Sequence, residues 1–314
     1  MSLDAAFLDA LAALAAVRPD EPLSRHTTIG IGGPADALIS ATTADQLAAV
    51  LDLCQAAGVS VFVLGSGSNI VVGDGGIRGL TIANGTAAQT EPRRLDQESE
   101  RYLVRVEAGA SFALTARRLA AAGLEGLEWA CGIPGTVGGA VVYNAGAYGG
   151  CLADVLERIG VWDEATGVVE YAKQALGLVY RGSAFTRGLM QGRVVLWAEF
   201  ALWPGDTAAL RARIADYDSR RLKAQPRGRN AGSFFKNPPG RPAWKLIEAV
   251  GLRGYRLGGA ALSAKHCNFL INNGDATAAD VVGLTRLAQG RVRDQFGLEL
   301  ETEVSLVGEG FGDG

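Results

Sequence analysis

The chain has 314 residues, of which 48% are apolar and 20% charged, with a net charge of −3. That length suggests two or three domains with an ordinary core, and the weak charge excludes a surface that gathers nucleic acid or anionic lipid as a whole. The 43 glycines, about twice the usual share, cluster in particular loops.

MSLDAAFLDALAALAAVRPD opens the chain with Asp4 and Asp9 and no basic leader, so it reads as an amphipathic helix and not as a signal peptide. No later stretch reaches the ~18 apolar residues that a membrane span needs. A cytoplasmic protein without membrane contact is expected. Cys54, Cys131, Cys151 and Cys267 show no CxxC spacing and read as reduced thiols. His26 and His266 are the only histidines, so no metal site is expected.

In chain order, TADQLAAVLDLCQAAG (43–58) predicts a helix, with Thr43 and Gln46 at capping-box spacing and Gly58 to stop it. VFVL (61–64) and IVV (70–72) predict strands around the loop GSGSN. YLVRVEAG (102–109) alternates as a half-buried strand and SFALTARRLAAAG (111–123) follows as a helix. GIPGTVGGAVVYNAGAYGG (132–150) reads as a long glycine-rich loop, and VLERIGVW and VVLWAEFALW as strands. From Asp206, a capping residue, a helix runs through TAALRARIADYDSRRLK and begins a C-terminal domain. That domain holds NAGSFFKNP (230–238), the helix AWKLIEAV, the strand NFLIN, a helix from Thr277 to Gly297, and an alternating strand LELETEVSLV (298–307). Strands and helices mix without sustained βαβ alternation, which indicates an α+β fold. The expected boundaries are 1–84, 85–204 and 205–314.

Five segments can carry chemistry. Gly65, Ser66, Gly67, Ser68 and Asn69 can form an anion-binding nest or a plain tight turn; they fit neither a dinucleotide fingerprint nor a P-loop. The 132–150 segment spends much entropy on folding, which suits close backbone approach to a flat ligand such as a flavin or nucleotide. Arg181 in YRGSAF is either a surface cation or a guanidinium that polarises a ligand. Arg220, Arg221, Lys223, Arg227 and Arg229 form a basic run without the interleaved aromatics of base stacking, so phosphate is favoured over nucleic acid. Alternation in 298–307 places Glu299, Glu301 and Glu303 on one face, and spacing does not choose among them. NAGSFFKNP itself is either a loop anchored by two rings or a site where Ser233 donates a proton and Lys236 or Asn237 holds an anion.

Seven segments, in order, resemble the MurB family of UDP-N-acetylenolpyruvoylglucosamine reductases: TTIGIGGPAD, GSGSNIVVGDGG, GIPGTVGGAVVYNAGAYGG, YRGSAF, NAGSFFKNP, KHCNFLIN and ETEV. The resemblance implies a fold of two lobes (1–84 and 85–204) of the vanillyl-alcohol-oxidase FAD-binding type plus a substrate-binding domain (205–314). It implies non-covalent FAD held by GSGSN and by Gly132, Ile133, Pro134, Gly138, Asn144, Ala145 and Gly146. NADPH would be the reductant and a UDP-sugar the substrate, in peptidoglycan synthesis, with no obligate protein partner. Arg181 and Glu303 would be catalytic, Ser233 would protonate the substrate, and Tyr180, Lys223 and Asn237 would bind it. Tyr143 stands where the family usually has methionine, and Gly182 where a polar residue is common. No tyrosine lies between Arg181 and Asp216, so the tyrosine loop of one subclass is expected to be absent, as in type II members.

Overall fold

A computed structural model describes residues 3–312. Helix α1 (Ala5–Leu14) starts where the Asp4 carboxylate accepts from Phe7 N at 2.7 Å, and it buries Phe7 and Leu11, one turn apart. Strands β1 (Arg18–Pro22), β2 (Pro34–Ala41), β3 (Val61–Leu64) and β5 (Ile77–Asn84) form a sheet in the order β1-β2-β5-β3. In it β2, β5 and β3 run parallel, because α2 (Ala44–Ala57) returns the chain between β2 and β3. Thr43 caps α2 by accepting from Gln46 N, and Gly58 ends it at φ +62°, as the spacing predicts, but the Gln46 side chain accepts from Thr42 N instead of Thr43 N, so the box is not reciprocal. Strand β4 (Ile70–Val72) follows the GSGSN loop.

The second sheet is antiparallel. It contains β6 (Arg93–Arg94), β7 (Tyr102–Glu107), β11 (Leu156–Asp163), β12 (Gly167–Ala172) and β13 (Arg193–Pro204) in the order β12-β11-β13-β7-β6, with β8 (Leu124–Glu125) against the end of β13. Val104, Val106, Ile159 and Phe200 of this sheet pack beneath α3 (Phe112–Ala121) and α4 (Val137–Tyr143). Trp162, Leu196 and Trp197 join the core of α1, α2 and the first sheet. One layered body therefore forms from the two halves, with the second sheet apolar on both faces.

A short hairpin, β9 (Gly146–Ala147) and β10 (Gly150–Cys151), follows α4. Helix α5 (Thr207–Ala224), capped by Asp206, packs on the second sheet's helical layer: Arg213 pairs with Glu125 and Glu128, and Asp218 with Arg117. The C-terminal sheet is antiparallel, β14-β17-β16-β15, from β14 (Arg229–Ser233), β15 (Arg256–Leu257), β16 (Ala260–Leu262) and β17 (Phe269–Asn272). It is covered by α6 (Ala243–Ala249) and by α7 (Ala278–Phe296), which has a capping box of Thr277 and Asp280 and a left-handed Gly297 stop.

Two expectations change. The 132–150 segment is not one loop, because Thr136 caps α4 within it. The glycines there are tolerated since α4 is held by tertiary contacts, Gly138 N donating to Ala108 O at 2.8 Å. LELETEVSLV does not form a ten-residue strand: only β18 (Ser305–Val307) is regular, pairing parallel with β4. Its preceding residues are drawn to another element, with Lys236 N donating to Glu301 O and Glu303 N to Phe234 O. The alternation consequently breaks, and Leu306 is 40% exposed while Leu300 and Val304 are buried.

In the β11–β13 register Gly160 lies opposite Trp197, and a Cβ at Gly160 would sit 2.1 Å from that indole. Gly160→Ala is therefore expected to destabilise the protein by about 1–3 kcal/mol through overpacking, read as a lower urea midpoint at unchanged slope.

Candidate active site

Residues of all three sheets line one cavity of about 520 Å³, within the usual range for ligand pockets. Gly65, Ser66, Gly67, Ser68 and Asn69 line one end. The loop is bent by Gly67 at φ +62°, where a Cβ would fall 2.1 Å from His26 O, and its carbonyl accepts from Thr28 N at 3.0 Å. Ser68 Oγ donates to Pro134 O at 3.2 Å, which joins this loop to the start of α4. Ile133, Pro134, Gly138, Ala145 and Gly146 continue the wall.

The catalytic candidates lie on that same cavity. Ser233 ends β14 after Gly232, which takes φ +83°. Phe234 and Phe235 beside it are fully buried and pack edge to face at 5.5 Å, so the serine is set on a rigid base. Glu303 N donates to Phe234 O at 2.8 Å, and Asn69 Nδ2 donates to Glu303 O at 3.2 Å. Glu303 is thereby stitched to both the serine segment and the GSGSN loop. Arg181 arrives on a tight turn, Val179 and Gly182 exchanging backbone hydrogen bonds, with Arg181 itself at φ +52°. A left-handed arginine is costly, and such strain gathers at functional sites.

Arg181 Nε stands 2.8 Å from Glu303 Oε1, with only 23% and 18% of the two side chains exposed. The contact is ionic and poorly directed: the buried Nε–H has no aligned acceptor. Burial pushes the Glu303 carboxyl above the ordinary glutamate range, while Arg181 and then Lys236 pull it back. Lys236 Nζ contacts the exposed Glu301 carboxylate.

The remaining expected residues are placed elsewhere. Asn144, 6% exposed, donates through Nδ2 to Val179 O and accepts from Ala153 N. Gly132 backs onto the Arg221 side chain, and a Cβ there would meet Arg221 Cδ at 2.8 Å. Tyr180 is 59% exposed beside Arg181, its ring 5.5 Å from the guanidinium. Lys223 is exposed on α5, and Asn237 Oδ1 accepts from Ala243 N at the start of α6.

The α5 cation in the cavity is Arg221, together with Gln225. Burial lowers the Arg221 pKa from its ordinary value, and its helix face also carries the stacked Tyr217–Tyr148 pair at 4.4 Å. Helical spacing from buried Leu210 through Tyr217 (i+7) to Arg221 (i+11) was the available signal. A basic run taken as a whole hides it.

Residues 35–172 match the family described as FAD binding domain, and residues 224–307 match UDP-N-acetylenolpyruvoylglucosamine reductase, C-terminal domain. The UDP-N-acetylenolpyruvoylglucosamine reductase of Rubrobacter xylanophilus is 45% identical over 294 residues, covering 94% of this chain and 96% of that one. The chain belongs to the MurB family. A second relative of the same description, from Desulfosudis oleivorans, is 43% identical over 298 residues, 93% of this chain and 95% of its own. The crystal structure of MurB from Thermus caldophilus superposes with a TM-score of 0.74 at 35% identity, covering 93% of this chain and 98% of that one. Membership in the MurB family makes the chain an FAD-binding oxidoreductase of cell-wall synthesis, with the expected α+β architecture. No helix among the described residues is long and apolar enough to cross a membrane.

The cavity fits a flavin dinucleotide. Its small-residue lining at residues 65–69 offers backbone donors for phosphate, and the wall of Phe112, Ile133, Pro134 and Val142 offers apolar surface for a flat ring.

Glu303 also has a signature in stability. Between the ordinary glutamate pKa of 4.5 and its raised folded value, the folded chain keeps a proton that the unfolded chain has lost. Its contribution therefore makes stability fall as pH rises through that window. Glu303→Gln is expected to remove this downward contribution, so unfolding free energies measured in urea from pH 4.5 upward should decline less with pH than those of the wild type; parallel slopes would contradict the raised pKa.

Proposed function

We propose that this protein reduces the enolpyruvyl group of UDP-N-acetylglucosamine enolpyruvate to give UDP-N-acetylmuramate, with NADPH as reductant, in the cytoplasm. The observation that carries the reading is the convergence of Ser233, Arg181 and Glu303 on a cavity that also contains the GSGSN loop. FAD, held by the GSGSN loop and the wall at Ile133, Pro134 and Gly138, would supply the hydride chemistry between NADPH and the enolpyruvyl group.

The protein's own residues handle the charge and the proton. Hydride arrival at C3 leaves negative charge at C2 and on the adjoining carboxylate. Arg181 lines the cavity, so its guanidinium meets that charge from within the site. Ser233 donates its hydroxyl proton to C2, completing the C–H bond, and the resulting alkoxide recovers a proton from solvent. Stabilisation of the enolate by the nearby cation is what lets a neutral hydroxyl act as the acid. Glu303 holds Arg181, its carboxyl pushed above the ordinary glutamate range by burial. Arg221 is a partly buried cation that lines the cavity, with Asp218 the one carboxylate acting on it at a distance. That arrangement suits a phosphate of the nucleotide substrate. Lys223, Asn237 and Tyr180 lie outside the cavity wall and would reach the distal part of such a ligand.

The visible spectrum of the purified protein, followed anaerobically, tests this reading. Flavin bands should bleach with NADPH and return only on addition of the UDP-enolpyruvyl sugar; bands indifferent to NADPH would refute it. In Ser233→Ala the bleaching should be nearly intact and the return slower by ~10²-fold or more, and equal slowing of both phases would remove the proton-donor role. Arg181→Lys keeps the charge but not the planar fork, so poor turnover is expected there; near-normal turnover would return Arg181 to a surface role.

A further inference from the structure

Neither partner of the Arg181–Glu303 pair sits on a rigid element. Arg181 rides a two-residue turn in a left-handed conformation, and Glu303 precedes a strand whose regular pairing begins only at Ser305. Both segments are nevertheless tied to the same place, the last turn of α4. Val142 O accepts from the fully buried Ser183 Oγ at 2.6 Å, and Asn144 Nδ2 donates to Val179 O at 2.8 Å, so the Arg181 turn is gripped on both sides. Between these two residues stands Tyr143, with its hydroxyl 2.6 Å from Ser305 Oγ.

We propose that Val142, Tyr143 and Asn144 form one clamp that aligns Arg181 with Glu303, and that Tyr143 is a positioning residue for Glu303, acting through Ser305. The catalytic consequence rests on the function proposed above; the mechanical one does not. Three consecutive residues at a helix end share one rigid frame, so the distance between the two gripped segments is set by the helix and not by either loop. Asn144 makes this possible by taking a left-handed C-cap, φ +43°, that turns its amide to the Arg181 side while Tyr143 points to the Glu303 side. The hydroxyl pair also fixes the first paired residue of a three-residue strand, the point at which such a short strand would fray.

The test uses Tyr143→Phe, which keeps the ring, together with Ser305→Ala, the double variant, and Asn144→Ala. Backbone hydrogen exchange, followed by mass spectrometry on the protein as purified, needs no substrate. Exchange across 303–307 should quicken in Tyr143→Phe and in Ser305→Ala, and go no further in the double variant, while 179–183 keeps the wild-type rate. Asn144→Ala should show the reverse pattern. In turnover, Tyr143→Phe should lower kcat roughly 3- to 10-fold, the loss of one hydrogen bond, with KM for NADPH unchanged. Unchanged exchange at 303–307, effects that add in the double variant, or wild-type kcat in Tyr143→Phe would each overturn the proposal. A wild-type protein that shows the exchange pattern but reduces no enolpyruvyl sugar would instead refute the proposed function and leave the clamp standing.

Discussion

A guanidinium and a carboxylate, each mostly removed from water, face one another at 2.8 Å across the cavity, and much of the surrounding architecture serves that contact. Withdrawing two charges from water costs several kcal/mol per ion unless their mutual geometry is held. The same burial that makes the contact expensive raises the Glu303 pKa and strengthens every interaction Arg181 can make with developing charge.

Geometry of this kind requires support from several distant segments. Glu303 is fastened to Phe234 and Asn69, the GSGSN loop to Pro134, and the Arg181 turn to α4. Strand β18 completes the weave by crossing from the C-terminal domain to pair with β4. Ile29, Ile31 and Val71 likewise lie in one core cluster with Phe234, Phe235 and Leu270. Arg181, Ser233, Glu303 and the GSGSN loop are thus held with respect to one another because distant segments share a core, not because any single element is long.

Much was legible before folding was considered. Caps at Thr43, Asp206 and Thr277 and stops at Gly58 and Gly297 appear where local chemistry puts them, since capping satisfies backbone donors within one turn of the chain. NAGSFFKNP was an open question between anchor and site; Phe234 and Phe235 are the anchor, and Ser233 lies on the cavity. Helix α4 is not legible in the sequence because its glycines depress intrinsic propensity, and tertiary hydrogen bonds such as Gly138 N to Ala108 O make up the difference. The alternation of 298–307 does not make a continuous strand, because pattern reports which side chains are apolar and not which backbone partner wins.

By itself the sequence determined composition class, helix ends, most strands, and the small-residue and polar segments that resemble one family, because each depends on chemistry within a few residues. Which of three glutamates is buried, which of five basic residues enters the cavity, and which residues hold Arg181 against Glu303 were decided only by tertiary structure. Those outcomes depend on contacts between segments as far apart as Tyr143 and Ser305, and desolvation, unlike propensity, exists only once such segments have closed around a side chain.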